Sequence, residues 1–238
     1  MLYVEGGTDL DMLRTLAVRL KHPVATVWDE RVNSFYVQNN YPVQSLESEL
    51  ERVEGGFGIT PKEHFFALRA LVPNLRGVAI LDKDNQNRQP FQEGGLNIVY
   101  WRRYEAENYF ITPEVLRNYA MEHYQDMELF DGFRAEIESV LEQLILVRVF
   151  DDVTAEFQIY RSSEPEVARL LWEAKTERLK LSDFAEEFFR CLAGKLKHAM
   201  LLKKGELHRL IAYADPQIIP AEVTEKLDLL NALFRPRQ

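Results

Sequence analysis

The chain has 238 residues, 46% hydrophobic and 28% charged, the balance of a globular fold with a sizeable core. Lys and Arg number 29 against 38 Asp and Glu, a formal net charge of −9, which argues against a broadly basic nucleic-acid surface and leaves room only for local patches. No apolar run approaches a membrane span, no signal-peptide pattern opens the chain, and Cys191, read as buried and inert, is the single cysteine; the expected setting is reducing and cytoplasmic.

Met1-Leu2-Tyr3-Val4 reads as a short strand that delivers Glu5 at its end. Gly6-Gly7 makes a turn, and Thr8 is the expected N-cap of a helix with Asp9 and Asp11 in its first turn. Leu10, Leu13, Leu16, Ala17 and Leu20 give that helix one apolar face. Pro23 ends it, and Val24 to Trp28 reads as a second strand. Phe35-Tyr36-Val37 fits an edge strand or a loop. A helix is expected over Ser45 to Val53 and a loop at Gly55-Gly56-Phe57-Gly58. Thr60-Pro61-Lys62-Glu63 combines an N-cap, a proline at the first helical position and Glu at the third, a firm helix start.

Gly77-Val78-Ala79-Ile80-Leu81 is too short for a helix and reads as a fully buried strand. It ends in Asp82 and Asp84, and alternate residues of an extended segment share a face. Two converging carboxylates repel unless a cation or proton lies between them, so a divalent-metal site and a solvated turn both fit this stretch. Asp84 to Gly95 reads as a mobile polar loop, and Leu96 to Trp101 as another strand. Glu5, Asp9, Glu105 and Glu107 are the other acids expected near the carboxyl edge, where open α/β sheets place ligands. Hard oxygen donors of this kind suit Mg²⁺ or Mn²⁺.

The order of elements gives a mainly parallel α/β sheet flanked by helices. The second half is helical, with patterns starting at Thr112-Pro113 and recurring near 131–147, 164–176, 182–192 and 195–203, then at Leu207 to Tyr213 and Glu222 to Phe234. Only Val153 to Tyr160 reads as extended. A helical subdomain appended to or inserted in the sheet domain follows. Basic residues concentrate at Arg102-Arg103 and in Lys195, Lys197, Lys203, Lys204 and Arg209. The histidines show no metal-binding spacing, Gly194-Lys195 lacks the context of a P-loop, and no G-x-S-x-G occurs.

Three segments resemble the Toprim domain, in the form found in OLD-family nucleases and related ATPase-associated proteins. They are Val4-Glu5-Gly6-Gly7-Thr8-Asp9, Ile80-Leu81-Asp82-Lys83-Asp84 and Arg102-Arg103-Tyr104-Glu105-Ala106-Glu107-Asn108-Tyr109-Phe110. The resemblance implies a Toprim-like core over 1–112, a helical subdomain over 113–200, and a segment over 201–238 returning to the core. It implies two-metal hydrolysis of DNA phosphodiesters with two Mg²⁺ or Mn²⁺ ions, by an endonuclease or nickase. Glu5, Asp9, Asp82, Asp84 and Glu107 match metal ligands; Glu105 falls where the family commonly has serine. Lys204, with Lys203 beside it, is nearest to the family's late catalytic lysine, although Glu206 replaces the lysine usual after the glycine. Arg102, Arg103, Lys195 and Lys197 are candidate DNA contacts. An ATPase domain in the same longer chain, or a separate ATPase subunit, is the implied partner, and the abrupt opening strand reads as a fragment of such a chain. A non-catalytic Toprim module that binds nucleic acid or a partner is the alternative, and strand passage or primer synthesis ranks third.

Overall fold

The structure is a computed structural model, which describes residues 1–37, 59–84, 86–124 and 132–234. The expected helix over Ser45 to Val53 and the glycine-rich loop after it lie outside the described residues. The chain divides into two compact units, residues 1–102 with 221–238, and residues 103–220. The segment 103–112 therefore groups with the helical unit. Among the described residues, no helix is long and apolar enough to cross a membrane.

The first unit is an α/β layer built on five strands, β1 (Leu2–Val4), β2 (Ser34–Tyr36), β3 (Gly77–Leu81), β4 (Phe91–Glu93) and β5 (Leu96–Tyr100), in the order β2-β1-β3-β5-β4. β1 is parallel to β2 and β3, and β3 is parallel to β5; only β4 runs antiparallel, against β5. The central strands are short apolar runs because both faces are covered, so no polar alternation is needed. Tyr3, Ala79, Leu81, Leu96 and Ile98 pack with Phe65 of α3 (Pro61–Leu71) on one face. Gly77 begins β3 without a side chain because a Cβ there would stand 2.9 Å from the Phe65 ring. Leu2, Val4, Val78 and Ile80 alternate to the other face, and all four are buried. Helix α1 (Gly7–Arg19) packs on β1, and α9 (Ala221–Ala232) packs on β3 and α1.

Several local expectations are corrected. Helix α1 begins two residues earlier than a Thr8 cap would place it: Gly6 is the N-cap, and Asp9 at the third helical position accepts the Gly6 N–H at 2.7 Å. Val24 to Trp28 is not a strand. Pro23–Val27 is a 3-10 helix running into the short helix α2 (Trp28–Arg31). His22 Nδ1 accepts the Val24 N–H at 3.3 Å, Pro23 supplies a helical φ, and the buried pair Val24 and Trp28 is spaced for a helix. The segment after Asp84 is not all loop, because β4 and β5 form a hairpin through Gly94 and Gly95, both at positive φ.

The second unit is helical: α4 (Pro113–His123), α5 (Phe133–Ile145), α6 (Ala155–Ser162), α7 (Pro165–Thr176) and α8 (Leu181–Leu196). Helix α5 continues into a π-helical turn over Leu146–Phe150. The expected extended segment over Val153 to Tyr160 is instead mostly helix α6, which Thr154 caps by accepting the Phe157 N–H at 3.1 Å. No helix spans 195–203: α8 ends at Lys197, whose φ of 50° is left-handed, and Lys204–Tyr213 is a 3-10 helix. The core joins α8, through Phe188, Phe189 and Leu192, to α4, through Tyr119. Cys191 is half-buried rather than buried.

Candidate functional site

The parallel register fixes where the first acids emerge. Leu2 pairs with Val78 and Leu81 with Tyr100, so β1, β3 and β5 end at one edge of the sheet. Glu5 follows β1 there and Asp82 follows β3. Glu5 Oε1 accepts the Asp82 N–H at 3.3 Å, tying the two strand ends together. Asp84 sits in the turn after β3 at φ 50°, a left-handed conformation that aspartate tolerates better than most residues.

Arg88, from the following loop, reaches back into this group. Its Nη1 donates to the Asp82 carbonyl at 3.2 Å and stands 3.5 Å from Glu5 Oε1. Its Nη2 donates to Asp84 Oδ2 at 3.3 Å. The guanidinium also lies 5.7 Å from the centre of the Tyr100 ring. Glu5, Asp84 and Arg88 are all largely covered, with side chains 18%, 14% and 15% exposed.

Burial and like charge act together on the carboxylates. The Glu5 carboxyl is pushed up to about 7, first by burial and then by the neighbouring Asp84 and Asp9, with Arg88 and the Asp82 N–H offsetting them only in part. Asp9 is also raised, chiefly by burial, against the lowering effect of the Gly6 N–H. The Asp84 charge adds a smaller push in the same direction. Lys83 contributes nothing to this balance through contact, because its ammonium is turned to the Arg102 carbonyl at 3.4 Å.

The donor chemistry fits a hard divalent cation: carboxylates from a strand end, a helix first turn and a β-turn feel one another across a covered patch, with a single arginine among them. The geometry is drawn around that guanidinium. Among the described residues, no group of three or more His, Cys, Asp or Glu is arranged closely enough to hold an ion. Arg88 is the residue that sequence reasoning missed. Its only signal was a lone arginine four residues after Asp84 in a polar loop.

Most of the remaining expected site residues are engaged in structure. Arg102 in the first unit is 72% exposed, and its guanidinium donates to Glu225 at 3.1 Å while its backbone N–H donates to Glu222 at 2.9 Å. The others belong to the helical unit. Arg103 is mostly covered, donating to the Asn108 carbonyl at 2.6 Å and to Glu173 at 3.1 Å. Glu105 is buried at the start of α8, where its carboxylate accepts the Ser182 N–H at 2.6 Å and the Ser182 hydroxyl at 3.0 Å. That is an anion at a helix N-terminus, a position the helix dipole favours. Burial raises the Glu105 carboxyl, while Ser182, Lys180 and Lys204 pull it down. Glu107 is buried in the 3-10 turn Ala106–Tyr109, its carbonyl accepting the Ile111 N–H at 3.0 Å. Asn108 completes the motif by donating to the Thr176 and Leu179 carbonyls at 2.7 and 3.0 Å.

The basic segment is substantially paired. Lys195 stands 3.1 Å from Glu136. Lys204 donates to Asp183; burial lowers its pKa, but Asp183, Glu105 and Glu186 outweigh this and hold it above the ordinary value. The Lys203 backbone N–H donates to Glu206 at 3.1 Å, closing the turn that starts the 3-10 helix. Lys197 is exposed at the end of α8. No family model matches this chain, and no curated protein matches it.

Proposed function

We propose that the first unit is a Toprim-like catalytic core that hydrolyses DNA phosphodiester bonds with Mg²⁺ or Mn²⁺. One observation carries this reading: Glu5 and Asp82, at the ends of two adjacent parallel strands, are hydrogen-bonded at the carboxyl edge, with Asp84 and Asp9 close enough to raise the Glu5 pKa. The five-stranded, mostly parallel sheet with α1 after the first acid is compatible with that fold.

In this reading Glu5, Asp82 and Asp84 hold the cations and Asp9 adds charge behind them. The chemistry that a pair of divalent ions supplies when bound is activation of water and stabilisation of the leaving oxygen. The chain's own contribution is to gather the carboxylates at one sheet edge and to restrict water around them, which raises Glu5 and Asp9 until a cation offsets their charge. The Gly6 N–H steadies Asp9, and the Asp82 N–H steadies Glu5. The resemblance adds an ATPase as partner, and that stands as part of the proposal.

The runner-up is a non-catalytic module that binds nucleic acid or a partner. Arg88 favours it, because an internal cation already answers part of the acidic charge. Incubating the chain with supercoiled plasmid and Mg²⁺ or Mn²⁺, with an EDTA control, separates the two. Metal-dependent nicking or linearisation that is lost in Asp82→Ala supports the nuclease. DNA retention without cleavage at any metal concentration supports the module. Cleavage that Asp82→Ala leaves at full rate refutes the site.

A further inference from the structure

We propose that Arg88 is a built-in placeholder for the divalent cation: its guanidinium holds the Glu5 and Asp84 carboxylates in the metal-free protein and must leave before an ion can bind them. The inference rests on the metal-site reading above and assigns a role to a residue which that reading does not use.

The placement of Arg88 is the first support. Its loop neighbours Gln86, Asn87, Gln89 and Pro90 are exposed, yet its own side chain is only 15% exposed. The side chain is thus drawn inward from an exposed loop. Each of its three nitrogens donates a hydrogen bond: Nε to Gln86 at 3.0 Å, Nη1 to the Asp82 carbonyl at 3.2 Å, and Nη2 to Asp84 at 3.3 Å. Arginine presents its donors as a rigid fork, so one side chain can bridge groups from two strand ends.

The strength of these contacts is the second support. Charge-assisted N–H···O bonds are commonly about 2.7–2.9 Å. Those from Arg88 to the two carboxylates, at 3.5 and 3.3 Å, are longer. Such a fork offsets part of the cluster's charge without gripping it tightly. A divalent ion coordinates carboxylate oxygen directly, at about 2.0–2.1 Å for Mg²⁺. An ion bridging Glu5 and Asp84 would need the place between them that the guanidinium holds, and at that range the two like charges repel. Binding is therefore an exchange of one cation for another. When a binding-competent state is only a fraction of the population, apparent affinity falls by that fraction.

The test uses the full chain and Mn²⁺ alone, followed by isothermal titration calorimetry, in wild type, Arg88→Gln and Arg88→Lys. Arg88→Gln should bind Mn²⁺ about tenfold more tightly than wild type, as expected when the latched state outweighs the open one by about ten to one. Arg88→Lys, which keeps the charge, should stay within about threefold of wild type. Without metal, Arg88→Gln should melt below wild type, and saturating Mn²⁺ should close that gap. A measurement on the unaltered protein guards against misfolding of the variants: Mn²⁺ should speed phenylglyoxal modification of Arg88, read by peptide mass spectrometry. Equal or weaker Mn²⁺ binding by Arg88→Gln, Arg88→Lys binding as tightly as Arg88→Gln, or Arg88 modification unmoved by Mn²⁺ each overturns the placeholder while leaving the metal site standing. No Mn²⁺ binding by wild type or either variant overturns the metal site and the placeholder together.

Discussion

Arg88 stands between Glu5 and Asp84, its two terminal nitrogens 3.5 Å from one carboxylate and 3.3 Å from the other. The carboxylates come from positions far apart in the chain, and the strand ends alone would leave them to repel. One cation does not cancel the group, since Glu5 is still raised to about 7 with burial as the chief cause.

That residual imbalance gives a pH dependence. The Glu5 carboxyl has a folded pKa of about 7 against an ordinary 4.5, so between those values the folded state carries a proton that the unfolded state lacks. Its contribution is present in full below about 4.5 and is lost as pH rises through about 7. Metal-free protein should lose on the order of 2–3 kcal/mol from this group between pH 5 and pH 8. Urea denaturation in EDTA at the two pH values measures it. Glu5→Gln should flatten the difference, and an equally steep pH dependence in that variant would assign it to another group.

Asp84→Asn should separate activity from stability. It removes a charge that raises both Glu5 and Asp9. It also weakens the partner of Arg88, so the two effects oppose and the net stability change should stay within about 1 kcal/mol. Cleavage should fall by at least about a hundredfold, as for other groups that stabilise developing charge. Melting curves and plasmid cleavage on the same preparation provide the comparison; a collapse in melting temperature with cleavage intact would reverse the assignment.

Lys226 offers a purely structural prediction in the first unit. It is buried, donates to the Tyr100 carbonyl at 2.9 Å and stands 3.5 Å from buried Glu222, which in turn accepts the Arg102 N–H. Burial lowers the Lys226 pKa, while Glu222 resists that shift. Lys226→Ala leaves a buried carboxylate without its ammonium and should cost about 3 kcal/mol. Chemical denaturation reads the loss, and Glu222→Gln combined with Lys226→Met should recover part of it.

In the helical unit Asn108 should prove structural although it lies in the segment that carries the family resemblance. Its amide is the donor to both Thr176 and Leu179 carbonyls at the end of α7. Asn108→Asp replaces that donor by an acceptor facing two acceptors, and should cost about 2–3 kcal/mol, more than a typical neutral loss. The penalty should shrink at low pH, where the new carboxyl can be protonated. Denaturation at pH 4 and pH 7 checks the sign.

What could be read from the residues follows from how local each cause is. β1 and β3 are apolar runs that end in an acid, β5 is a mostly apolar run after glycine, and Thr60, Pro61 and Glu63 set a helix start within four residues. Those causes lie within one window of sequence. Val24 to Trp28 misled because β-branched residues favour strands, whereas Pro23 and the His22 side chain set the local backbone instead. The hairpin at Gly94-Gly95 carried a two-residue turn signal, hidden by the polar composition before it. Glu5 and Asp82 could be expected at one edge once the sheet was taken as parallel. Arg88 could not be placed, because nothing local to it says that a loop side chain folds back onto the end of β1. The engagement of Arg103, Glu105 and Lys204 was equally hidden: their partners Glu173, Ser182 and Asp183 are distant in sequence.

Helix α9 comes from the end of the chain, yet packs on β3 and α1 near its beginning. During synthesis the ribosome therefore delivers every strand of the sheet long before the helix that seals β3. In that interval the nascent first unit lacks the helix that packs on β3 and α1, and Lys226 has not yet arrived at the Tyr100 carbonyl. The order of emergence makes the sheet the earliest part to be made and among the last to be finished, so a ribosome stalled at Pro220 should display a protease-sensitive sheet that becomes resistant only when residues 221–232 emerge.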